Sequence, residues 1–121
     1  MIVMSLKEAV EATPALKALL AVDLPFVAAH RLSRVMDALV KPVQAFEELR
    51  FKAFRERGHE VEGQPGSYSI SDLDVLKQVA AELEAVLTEE VKIDLEPLTA
   101  AQFGDATVKG EWLVALKKII A

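Results

Sequence analysis

Two histidines, two adjacent glutamate pairs and one run of cations are the residues through which this chain could do chemistry. His30 stands beside Arg31 and Arg34, where a general base or an anion contact could sit. No carboxylate lies one helical turn from it to orient the ring, so it reads as a helix-surface histidine. His59 is followed by Glu60 and Glu62. A metal needs converging ligands, and neighbours in sequence do not converge in a helix or strand. Neither an HExxH nor an H-x₃-H arrangement is present. Glu47–Glu48 and Glu89–Glu90 are adjacent carboxylates. Acid/base work of the glycosidase type needs two carboxyls facing across a cleft from different elements, so these pairs read as solvated helix faces. No GxGxxG, GxxxxGK[ST] or GxSxG occurs, and there is no cysteine. Catalytic, cofactor-binding and metal residues are therefore expected to be none, and an enzyme is not expected.

Two surface features remain. Arg50, Lys52, Arg55 and Arg57 surround Phe51 and Phe54. Cations with aromatic faces are the components of a single-strand nucleic-acid platform. The other reading buries Phe46 and Phe54 and leaves the cations in water or paired to acids. The net charge of −5 favours that second reading. The other feature is the apolar set Trp112, Leu116 and Ile119 near the C-terminus, a candidate interaction surface.

The elements that must position these residues are mostly helical. Met1–Met4 is a short strand or a frayed start, and Ser5 to Glu8 has the form of a capping box. A first helix follows with Leu6, Val10, Leu16, Leu19 and Leu20 on its apolar face, broken or kinked near Ala12–Thr13 by Pro14. Asp23 is the expected N-cap of a second helix, Leu24–Gly58, with Pro25 in its first turn and a bend at Pro42. Its stripe is Leu32, Val35, Leu39, Val43, Phe46, Leu49 and Ala53. Gly63–Gln64–Pro65–Gly66 marks a turn, in a short hairpin or an irregular loop. A third helix, Ser71–Glu90, has a heptad seam of Leu73, Leu76, Ala80, Leu83 and Leu87.

Span 31–57 carries seven Lys/Arg against four acids, while span 71–90 carries six acids and Lys77. The two helices are therefore expected to pair antiparallel with complementary charge. Val91–Leu95 alternates like a half-buried strand whose partner is the 61–70 segment or the N-terminus. Thr99–Gln102 opens a single helical turn, and a last helix is expected over Gly110–Ile120. The fold class is thus mainly α: a single domain over residues 1–121, an antiparallel long-helix hairpin with flanking short helices and a two- or three-stranded β element.

Composition narrows the function classes. Hydrophobic residues make up 52% of 121 positions but aromatics only 6%, a mixture suited to helix packing and to oligomerisation. The acidic balance makes nucleic acid a poor partner, and no apolar run reaches membrane-spanning length. The lack of Cys and Asn follows a composition trend of thermophilic proteins.

The strings AFEELRFKAFRERG, EEVKIDLEPL and TVKGEWLVALKKII together resemble a small uncharacterised protein family encoded by tailed bacteriophages, mainly over residues 32–120. Pro42 within the helix and Gly110 at the start of the last one depart from that pattern. The resemblance brings no active-site residues. It implies a phage or prophage protein with an accessory or assembly role, located in the host cytoplasm or carried in the virion. The expected function is helix-mediated self-association or protein binding. Inhibition of a host enzyme and nucleic-acid binding through Arg50–Arg57 are the alternatives.

Overall fold

Ser5 closes the capping box that the sequence suggests. Its backbone N–H donates to Glu8 Oε1 and its Oγ accepts from the Glu8 N–H, each at 3.1 Å. The computed structural model describes residues 1–121. Strand β1 (Ile2–Ser5) leads into helix α1 (Leu6–Leu20) and then helix α2 (Phe26–Arg57). A minimal hairpin, β2 (His59–Glu60) with β3 (Tyr68–Ser69), precedes helix α3 (Leu73–Leu87). Strand β4 (Glu90–Ile93), a 3₁₀ turn (Ala100–Phe103) and helix α4 (Gly110–Ala115) complete the chain. The mainly α class with small β elements is as expected.

Several boundaries differ from the sequence reading, each for a local reason. α1 runs unbroken through Pro14. Ala12, Ala15 and Leu16 are buried on both sides of the proline, and packing of that kind holds a helix more firmly than intrinsic propensity does. Pro42 lies inside α2, as the sequence reading has it. That helix starts at Phe26, with Pro25 rather than Asp23 at the N-cap, because a proline disfavours helical backbone at the residue before it. α3 is capped by Asp72, whose side chain accepts from the Asp74 N–H at 2.9 Å and the Val75 N–H at 3.3 Å. The last helix stops at Ala115 instead of reaching Ile120. Beyond it Leu98 and Ile120 form a parallel bridge, with the Leu98 N–H donating to the Ile119 carbonyl at 2.8 Å.

Of the two partners open to the 91–95 strand, the N-terminus is the one used. β1 and β4 pair antiparallel with Ile2 opposite Ile93 and Met4 opposite Val91. Ile2, Met4 and Ile93 point into the core, as period-two alternation requires.

The core centres on α1. Leu6, Ala9, Ala12, Ala15, Leu16 and Leu19 are buried against Ala28, Leu32, Val35 and Leu39 of α2. Leu98, Phe103, Leu116 and Ile119 close it from the C-terminal side. The expected α2–α3 pairing is present and antiparallel, with Val86 beside Leu49 and Phe46, and Glu82 beside Arg57. Its seam is shifted, however. Val79 is the buried residue of α3, Leu76, Leu83, Val86 and Leu87 are half-buried, and Leu73 and Ala80 face water.

Gly58 ends α2 with extended backbone (φ −115°), not in the left-handed conformation usual for a terminal glycine. Its reason is space: a Cβ there would stand 2.3 Å from the Ser69 carbonyl oxygen and 2.6 Å from that of Phe54. The missing side chain lets the hairpin turn back onto α2. Gly63 (φ 77°) and Gly66 (φ 82°) supply the left-handed turns of the 61–67 loop.

Candidate functional site

The end of α2 and the returning hairpin build a groove of about 500 Å³, lined by Glu47, Arg50, Phe51, Phe54, Ser67 and Tyr68. Close approach at Gly58 brings Tyr68 edge-on to Phe51, with ring centroids 5.5 Å apart. Arg55 lies over the Phe51 ring, its guanidinium carbon 5.7 Å from the centroid. Phe46 is buried and Phe54 half-buried, while Phe51 stays about half exposed.

The four cations do not act as one patch. Arg50 Nε is 3.5 Å from Glu47, Lys52 Nζ is 4.0 Å from Glu56, and Arg57 Nη1 is 2.7 Å from Glu82. Only Arg57 reaches the acidic α3. The first two pairs are local to one helix turn, where exposed ion pairs contribute about 0.3–0.5 kcal/mol each. Arg50 and Phe51 line the same groove, but of the four cations only Arg55 stands over the ring.

The C-terminal set divides. Trp112 is half-buried, with Lys109 Nζ 5.4 Å from its ring. Leu116 and Ile119 are 0% exposed and belong to the core, which corrects their assignment to an interaction surface. The chain leaves the helix after Ala115, and this departure turns both residues inward. What α4 offers outward is Leu113 and Val114, the latter 74% exposed.

The remaining candidates stay apart. His30 is exposed and stacks on Phe26, with centroids 6.3 Å apart and planes within 5°. His59 Nε2 lies 3.5 Å from Ser71 Oγ at the base of the hairpin. Glu90 pairs with Lys92 at 3.8 Å. No three His, Asp or Glu side chains converge as a metal site would require.

Two features escaped the sequence reading. Phe26 and Val27, at the start of α2, are 84% and 54% exposed. Phe26 falls on the helix side opposite the Leu32–Val35–Leu39 stripe, and that offset was the available signal. The second is an apolar groove of about 340 Å³ between α2 and α3, floored by Leu49, Ala53, Leu83 and Val86.

No helix is long and apolar enough to cross a membrane. No protein-family model, curated protein or solved structure matches the chain.

Proposed function

We propose that this chain is a non-enzymatic accessory or assembly protein of a tailed phage or prophage, acting in the host cytoplasm by association with itself or with a protein partner. The observation that carries the reading is the strong exposure of apolar side chains on three separate helices: Phe26 at 84%, Val114 at 74% and Leu73 at 69%. Covering a large apolar side chain stabilises by about 1.5–3 kcal/mol, so these positions favour association once a complementary surface is offered. The phage origin rests on the resemblance over residues 32–120. The non-enzymatic character is supported by the glutamate pairs, whose members lie on solvated faces beside Arg50 and Lys92.

Size-exclusion chromatography with light scattering, run from low to high micromolar concentration, tests the reading. A mass that rises with concentration supports self-association, and capture of a defined phage protein supports partner binding. A strict monomer that captures no phage protein removes the proposal. Specific capture of a host enzyme would move the assignment to the inhibitor alternative.

A further inference from the structure

Two surfaces of this chain are complementary to each other and lie at different places on it. One is a knob: Phe26 and Val27 project from the first turn of α2, and the cations that follow are Arg31 and Arg34. No acid occurs between residues 24 and 36. Neither Arg31 nor Arg34 has a carboxylate within ion-pair distance, although Glu96 lines the same shallow groove.

The other surface is the α2–α3 groove. The 340 Å³ section floored by Leu49, Ala53, Leu83 and Val86 continues past Leu49 and Val86 into a second section of about 250 Å³ beside Pro42 and Phe46. Together they follow α2 from residue 42 to residue 57, roughly 22 Å at 1.5 Å per residue. Of the carboxylates along the groove, Glu56, Glu82 and Glu90 are paired with Lys52, Arg57 and Lys92, which leaves the charge of Glu89 uncompensated. Glu89 has no cationic partner.

We infer that the Phe26–Val27 knob of one copy docks into the α2–α3 groove of a second copy, with Arg31 and Arg34 set against Glu89. The inference rests on the self-association reading and specifies its geometry. Knob and groove are different patches, and with one knob and one groove used per contact the interface is head-to-tail and each dimer keeps one free knob and one free groove. Such contacts propagate into rings or filaments rather than stopping at two. Long-range charge attraction between the patches makes assembly weaken with salt, because screening shortens its range from about 10 Å at 0.1 M to about 3 Å at 1 M.

Complementation between two dead variants tests this geometry. Phe26→Asp spoils the knob at a side chain already in water, and Leu49→Arg blocks the groove with a bulky cation. Circular dichroism checks that both remain folded, and Glu89→Lys serves as a groove variant outside the packed floor. Each variant alone is expected to stay monomeric at concentrations where the parent associates, a loss of at least tenfold in apparent affinity. An equimolar mixture of Phe26→Asp and Leu49→Arg is expected to form a dimer and nothing larger, since it pairs one intact groove with one intact knob. If the parent associates but either variant does so equally well, or the mixture stays monomeric, the knob-in-groove geometry fails while self-association stands. A parent that is monomeric throughout overturns both.

Discussion

Arg57 and Glu82 form the one ion pair that joins α2 to α3, with Nη1 and Oε2 2.7 Å apart. Their side chains are 40% and 58% exposed, so solvent screens the attraction despite the short distance. A double-mutant cycle on Arg57→Ala and Glu82→Ala, followed by urea unfolding, should give a coupling of about 0.2–1 kcal/mol. Repeating it in 1 M salt should bring the coupling close to zero. A larger, salt-insensitive value would mean that the pair is shielded from water.

Gly58→Ala should destabilise by about 1–3 kcal/mol, because its new Cβ meets the Ser69 and Phe54 carbonyl oxygens well inside contact distance. Thermal unfolding measures the loss. Gly63→Ala offers a useful contrast: nothing lies near its Cβ, and only the positive φ resists it. A Gly58→Ala protein as stable as the parent would mean that the hairpin does not lie against the end of α2.

Removing the hydroxyl at Ser5 should cost about 0.5–2 kcal/mol, the usual loss of an N-cap that serves a backbone amide. Ser5→Ala measured by denaturant midpoint tests this, and Ser5→Thr should retain most of the stability. Equal losses from both substitutions would point to packing rather than capping.

The position of the α3 seam can be read from two truncations. Val79→Ala removes buried methyl groups and should lose about 1–3 kcal/mol. Leu73→Ala removes a larger side chain that faces water and should stay within about 0.5 kcal/mol of the parent. The opposite ranking would restore the seam that starts at Leu73.

What could be seen in the sequence was what is decided locally. The Ser5–Glu8 box requires only four residues, and the alternation of Val91, Lys92 and Ile93 marks a strand whatever its partner. Choices made by packing were harder to see. In α3 the series 73-76-80-83-87 and 76-79-83-86 both follow heptad spacing, and only contact with α2 selects the second. The central place of α1 was obscured for a related reason. Half of its buried face is alanine (Ala9, Ala12 and Ala15), a residue that is common on both sides of helices. The candidate surface shows the same division. The cations around Phe51 were apparent, whereas the inward turn of Leu116 and Ile119 depends on the bridge between Leu98 and Ile120.

The pairing of Ile2 with Ile93 also has a timetable. At the usual 5–20 residues per second of synthesis, the second isoleucine is added roughly 5–20 s after the first. During that interval α1 can form, since its cap and its helical bonds are local, but the strand before it has no neighbour. Leu116 and Ile119, which help to close the same core, are added later still. α2 follows α1 directly and can cover its alanine and leucine face early, whereas Ile2, Met4 and the side of the core closed by Leu98, Phe103, Leu116 and Ile119 stay uncovered until those later residues are made. Non-local contacts of this kind slow folding and prolong the opportunity for misassociation or for capture by a chaperone.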